Sequence, residues 1–192
     1  LTERGRSDVT IALIADHGEN LGEHDLFFHH GGLYRETTHV PLIIAGPQTL
    51  AARTDALVSS IDLGPTLLAL AGIARDWGRG RDMVSIIEGT DRGRDVVFSE
   101  HMLGWLVSAR TRDRTMIWHR GTSNQFPSYP IIEGTREVYD RSRDPGEQNP
   151  MVDSSDSALV RALDAFFASA QRNLAVHKTV DPDALRSLGY VQ

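Results

Sequence analysis

The stretch Val9-Thr10-Ile11-Ala12-Leu13-Ile14-Ala15, followed at once by Asp16-His17-Gly18-Glu19-Asn20-Leu21-Gly22-Glu23-His24, carries most of the information in this chain. Val9 to Ala15 is a continuous apolar run bounded by polar residues. Such a run is predicted to be a strand buried on both faces, as in the parallel sheet of an α/β protein. In open parallel sheets, functional groups gather at the carboxyl ends of the strands, where loops leave the core. Asp16 and His17 stand at that end side by side. A carboxylate oxygen and an imidazole nitrogen are both good ligands for a divalent cation, and Gly18 is predicted to let the backbone turn sharply beneath them. Spacing alone leaves two roles open for the pair: metal ligands, or a turn-capping Asp beside a surface His.

Downstream, His24, His29 and His30 lead into Gly31-Gly32, so four of the eight histidines fall between positions 17 and 30. Clustered imidazoles suit metal binding, proton transfer or anion stabilisation. A solvated loop in which one or two of them matter fits the same pattern, above all for His29. Val40 to Ala45 is a second apolar run, closed by Gly46-Pro47. Asp62 to Ala71 is predicted to be a helix, with Asp62 as its cap, Pro65 in its first turn and Gly72 at its end.

Past Gly72 the texture changes. Residues 75 to 94 are rich in Gly, Arg and Asp and read as loop. The short β-like runs 96–98, 105–109, 115–118 and 137–139 then predict a small antiparallel sheet. Residues 155 to 176 place Leu159, Leu163, Phe166, Phe167, Ala170 and Leu174 on one helical stripe, and Asp183 to Leu188 read as a last short helix ending at Gly189. The expected organisation is residues 1–94 in an α/β unit and residues 95–192 in a small α+β subdomain, its sheet packed with the long helix.

Bulk properties narrow the function classes. The formal net charge of -6 disfavours nucleic acid as a partner, because phosphate neutralisation needs a surplus of Lys and Arg. The chain has no cysteine, hence no disulfide, thiolate metal site or Cys nucleophile. No apolar run approaches the roughly 20 residues that span a bilayer. The chain does not start with Met and enters a strand pattern at Val9, as expected of a piece of a longer protein. Nothing in it fixes a compartment or an oligomeric state; homo-oligomerisation stays open.

Asp16-His17-Gly18-Glu19 with Leu21-Gly22-Glu23-His24, then Gly32-Leu33-Tyr34-Arg35-Glu36 and Val40-Pro41-Leu42-Ile43-Ile44, resembles the sulfatase family of the alkaline phosphatase superfamily. The resemblance continues through Val58 to Leu68, through Glu137-Val138-Tyr139-Asp140 with Asp144-Pro145-Gly146-Glu147-Gln148-Asn149, and into Leu185 to Val191. It implies an alkaline-phosphatase-like α/β sheet, part of which lies in this chain, and hydrolysis of sulfate esters at a divalent metal. That metal is expected to be Ca2+, with Mn2+, Mg2+ or Zn2+ as alternatives. Asp16 and His17 match the family's later pair of metal ligands. The family's early acidic pair and its formylglycine nucleophile, made in a C/S-x-P-S-R segment, have no counterpart here. They are expected in an amino-terminal part of the same enzyme, with this chain as its carboxy-terminal part.

His30 occupies the place of an anion-binding Lys, four residues before Tyr34, and so is expected to contact the substrate anion or to act as a general acid. His24 is expected beside it as a second substrate contact. The His at this place keeps phosphate and phosphonate esters open as alternative substrates. A non-enzymatic module that binds a metal or a partner is the third reading.

The chain alone is expected to turn over no sulfate or phosphate ester, since it has no match to the family nucleophile. It should also bind calcium weakly, since calcium takes six to eight oxygens. Calorimetric titration with calcium and a chromogenic ester assay on the isolated chain check this. Tight stoichiometric binding or metal-dependent turnover is the contrary result.

Overall fold

The Val9–Ala15 run forms strand β1, Ile11–Ile14, in a computed structural model that describes residues 8–47, 49, 52–75, 78–101, 104–124, 129–151 and 156–176. The second apolar run forms β4, Leu42–Ala45. The two pair with each other, antiparallel, with Ile11 opposite Ala45 and Leu13 opposite Ile43. This corrects the expected parallel strand buried on both faces: among the described residues β1 has β4 as its one sheet neighbour. Directly opposed residues share a face. The face of Ile11, Leu13, Ile43 and Ala45 is exposed, while Ala12, Ile14, Leu42 and Ile44 are half-buried. Ile11, Leu13 and Ile43 are each about half or more open to solvent (47%, 53% and 57%), so the apolar character that reads as double burial is met on one face only.

Between these strands lie a hairpin and a short helix. β2, Asn20–Leu21, pairs with β3, Phe27–His29, around a 3-10 turn at Glu23–Asp25. Helix α1, Arg35–Thr38, follows. Helix α2, Leu63–Leu70, agrees with the expected helix to within a residue at each end. Asp62 does not cap it, however. Its carboxylate accepts the Ser59 N–H at 3.0 Å, closing a capping box on the preceding 3-10 turn. It also accepts the Arg81 N–H at 3.0 Å and the guanidinium of Arg94. Those bonds hold its carboxyl below the usual range against the opposing effect of burial. Asp62 thus ties the Arg-rich 79–94 segment to α2. That segment reads as loop yet contains α3, Val84–Ile87, which buries Met83 and Ile86. Its single turn, rich in β-branched residues, is too short for a helical period to register.

The expected antiparallel sheet is present. β5 (Val97–His101), β6 (Leu106–Arg110), β7 (Arg114–His119) and β8 (Arg136–Asp140) form a meander in chain order. Leu106, Ile117 and Tyr139 of this sheet pack with Leu26, Leu33 and Tyr34 from the hairpin segment and with Tyr129 and Ile131. The core therefore joins the sheet to the loop that carries the histidines. The chain divides into two compact units at 156/157. The second holds α4, Ser157–Val176, where the rings of Phe166 and Phe167 meet edge to face at 5.4 Å. The expected helix at 183–188 and the 185–191 motif lie outside the described residues. Among the described residues no helix is long and apolar enough to cross a membrane.

One half-buried carboxylate anchors the core. Glu137 of β8 accepts hydroxyl hydrogen bonds from Tyr34 (2.8 Å), Tyr139 (2.5 Å) and Tyr129 (3.1 Å), and its Oε1 lies 2.8 Å from His119 Nε2. Burial by itself would raise its carboxyl, but the bonds from His119, Tyr139 and Tyr34 outweigh burial and hold it below the ordinary glutamate range. A folded-state value below the unfolded one of about 4.3 makes Glu137 a source of stability that is fully present above that pH. The contribution is lost as the pH falls through the depressed folded value. Glu137→Gln places an amide donor among groups that already donate, and should cost roughly 2 kcal/mol or more. Urea titrations at pH 7 and pH 4 are the check: the gap between wild type and variant narrows at the lower pH.

Candidate functional site

Asp16 and His17 leave the end of β1 together. The His17 N–H donates to Asp16 Oδ1 at 3.0 Å, and His17 Nδ1 lies 2.8 Å from the Gly18 carbonyl. A carbonyl only accepts, so Nδ1 carries a proton, and in the neutral imidazole Nε2 keeps its lone pair. Nε2 and Asp16 Oδ2 are 3.8 Å apart, with 46% and 91% of their side chains exposed. Two ligands each about 2.4 Å from one calcium ion can span that separation. The tautomer, the open lone pair and the shared direction fit a metal-ligand pair. Among the described residues no group of three or more His, Cys, Asp and Glu side chains is gathered to hold an ion.

Gly18 has a different reason from the one expected. The Gly18 N–H donates to the Thr37 carbonyl of α1 at 2.9 Å, and a Cβ here would lie 1.9 Å from the Glu36 carbonyl oxygen. Close approach to α1, rather than a sharp turn, excludes a side chain.

His30 is brought to this pair. Its ring centroid lies 4.3 Å from that of His17, tilted by 31°. The segment before and after it is pinned from below by Asn20, fully buried, whose side-chain amide donates to the His29 carbonyl at 2.7 Å and to the Gly31 carbonyl at 2.8 Å. His24 has other neighbours. It stacks on Tyr34 with centroids 3.4 Å apart and planes within 4°, and its Nε2 lies 3.3 Å from the Gln148 amide. Burial holds its imidazole below the usual range. The structure therefore joins Asp16, His17 and His30 and sets His24 against Tyr34.

The loop is strained. His24, Asp25 and Phe28 all take left-handed backbone conformations (φ 55°, 57° and 53°), and the other non-glycine residue described with such a conformation is Glu147 (φ 54°). Strain of this kind persists only where surrounding contacts over-determine it. Here they do. Tyr34, under His24, is bonded to Glu137. The next residue, Arg35, donates its N–H to Glu147 Oε2 at 2.8 Å. Glu147 is fully buried and also accepts from Arg110 (2.8 Å) and from the Thr115 hydroxyl (2.6 Å). Both carboxylates thus grip the 34–35 step, from which α1 runs to its contact with Gly18.

One residue of the neighbourhood is not signalled by the sequence. His101 ends β5, and its Nε2 is buried with no hydrogen-bond partner. Burial, and then the charge of His30, hold its imidazole below the usual range. It thus lies within electrostatic reach of His30. No local motif marks it.

The Sulfatase family model matches residues 1–73. The uncharacterized sulfatase YidJ of Escherichia coli is 31% identical over 84% of this chain and 32% of its own length. The Delta 4,5-hexuronate-2-O-sulfatase of Bacteroides thetaiotaomicron is 32% identical over 79% of this chain and 32% of its own length. The chain thus spans about a third of these relatives. Among solved structures, the PsFucS1 sulfatase from Pseudoalteromonas sp. superposes with a TM-score of 0.67 at 17% identity, covering 94% of this chain and 40% of that one. BT4656 in complex with its substrate D-glucosamine-2-N,6-O-disulfate gives 0.60 at 23%, covering 91% and 35%.

Gly18→Ala should push α1 and the Asp16–His17 pair apart. The expected cost is about 1–3 kcal/mol of stability, with a further loss of metal affinity in the full-length protein. Thermal melting with and without added calcium measures both: the calcium-dependent gain in Tm shrinks in the variant.

Proposed function

Because the chain belongs to the sulfatase family, we propose that the full-length protein hydrolyses sulfate esters, and that this chain forms the carboxy-terminal part of its active site. The observation that carries this reading is the meeting of Asp16, His17 and His30 at the end of β1. Asp16 and His17 are two ligands of a divalent cation, calcium by preference, and the remaining ligands and the formylglycine nucleophile come from the amino-terminal part of the enzyme. When bound, the cation supplies Lewis-acid polarisation and a template for the ester.

The chain's own residues orient and neutralise. The His17 Nδ1–H bond to Gly18 fixes the ring with Nε2 outward. His30, in ring contact with His17, faces the substrate anion and donates to a sulfate oxygen or to the departing alkoxide. His24 acts through its stack on Tyr34 as a positioning residue, a narrower role than the direct substrate contact expected from sequence. The division at 94/95 is retained as a proposal: residues 1–94 bring the ligand loop, and residues 95–192 bring the two carboxylates that hold it.

In the full-length enzyme Asp16→Ala should remove bound metal and sulfate-ester turnover together. His30→Ala should leave metal content intact and lower kcat by about 100-fold, the scale of losing one donor or acid. Elemental analysis alongside kinetics decides it. Loss of metal in His30→Ala would make His30 a ligand, unchanged kcat would make it a bystander, and faster turnover of a phosphate monoester than of the sulfate ester would reassign the reaction.

A further inference from the structure

One end of the antiparallel meander carries four residues that the site does not use. Trp118 of β7 is opposite Arg136 of β8, and directly opposed residues share a face. Arg120 lies two positions beyond Trp118 and so returns to that face. Its N–H donates to the Trp105 carbonyl at 2.7 Å, which carries the β6–β7 ladder one step past the Leu106–His119 pair and sets Trp105 opposite Arg120. Two of the chain's three tryptophans and two arginines therefore stand together on one face. It is the face opposite to the one on which Leu106, Ile117 and Tyr139 meet the site segment. Trp105, Arg120 and Arg136 are exposed, and Trp118 is half-buried.

The guanidinium carbons of Arg136 and Arg120 lie 4.7 and 5.7 Å from the centroid of the Trp118 ring, within cation–π range. A guanidinium stacked by its face keeps its N–H edges, the fork that grips an oxyanion. A Cβ on Gly121 would lie 2.9 Å from Trp105 Cγ and 3.1 and 3.2 Å from its Cδ1 and Cδ2. Such similar distances put Gly121 under the face of the ring, not at its edge. The indole thus rests flat on bare backbone, and 43% of Trp105 stays open to solvent. Glu100, on the same face opposite Val107, is three strand spacings from Arg136, about 14 Å, too far to neutralise it.

We propose that this surface binds a sulfated polysaccharide: the apolar CH face of a sugar ring lies on the open Trp105 indole, and a sulfate of the chain is held by Arg136 and Arg120. The choice of sulfate rests on the sulfate-ester reading above; the choice of a sugar rests on the shape. A bare indole backed by glycine and bordered by charged donors is a plane, which matches a sugar ring. A protein partner anchors its side chains in pockets, and nucleic acid is disfavoured by the net charge of -6. Because the surface lies on the sheet face turned away from the site segment, the sugar bound here is not the one that reacts.

The test is isothermal titration of the full-length protein at physiological salt with low-mass dextran sulfate, unsulfated dextran and polyglutamate. Wild type should bind dextran sulfate more tightly than either of the others. Trp105→Ala and Arg136→Gln should each weaken that binding about tenfold, and Trp105→Phe, which keeps an aromatic plane, should weaken it less. Turnover of para-nitrophenyl sulfate should be unchanged in all three. Dextran sulfate binding that Trp105→Ala and Arg136→Gln both leave intact overturns the proposal. Polyglutamate binding as tight as that of dextran sulfate overturns it too, and marks an acidic protein as the partner. Loss of binding that tracks a fall in Tm across the three variants reports a structural role and also overturns it. Wild-type protein that binds dextran sulfate through these residues yet hydrolyses no sulfate ester supports this surface and removes the sulfate-ester reading alone.

Discussion

Two carboxylates, Glu137 of the antiparallel sheet and Glu147 just after it, grip consecutive residues of the site segment. Glu137 takes the Tyr34 hydroxyl and Glu147 takes the Arg35 N–H, at 2.8 Å each. Both are partnered several times over, which is the condition under which a buried charge is tolerated. Through Tyr34 the grip reaches the stacked ring of His24. Through Arg35 it reaches α1, whose Thr37 carbonyl receives the Gly18 N–H, and so the Asp16–His17 pair. The strained backbone at His24, Asp25 and Phe28 is held within this frame.

The arrangement explains why motifs more than a hundred residues apart occur together. The Tyr34-Arg35 step and the Glu137 to Asn149 region are two halves of one contact. Tyr139 adds its hydroxyl to the same Glu137 oxygen that Tyr34 uses. Glu147 adopts its left-handed conformation while filling a site made by Arg110 and Thr115. The small sheet is therefore part of the support of the site as well as a separate layer.

Much of this is legible in the sequence. Continuous apolar runs locate β1 and β4, and the Asp62 to Ala71 pattern locates α2, because burial and helix ends leave local traces. The four strands of the sheet are visible as short runs between turns. What escapes is decided by distant partners. The antiparallel pairing of β1 with β4 depends on strand neighbours, which an apolar run does not specify. Asp62 looks like a cap, yet its side chain serves the turn before the helix and an arginine 32 positions on. Gly18 looks like a turn glycine, yet the Glu36 carbonyl is what forbids its side chain. His17 and His30 can be suspected from their crowding; that their rings meet is shown only by the fold.

On the proposed reading, the end of β1 is the metal end of a sulfate-ester site and His30 belongs to the anion. A crystal structure of the full-length protein soaked with calcium and inorganic sulfate tests it most directly. The expected result is calcium bonded to Asp16 and to His17 Nε2, with a sulfate oxygen within hydrogen-bonding distance of His30. Calcium bonded elsewhere, or His30 found in its coordination sphere with no anion beside it, is the contrary result.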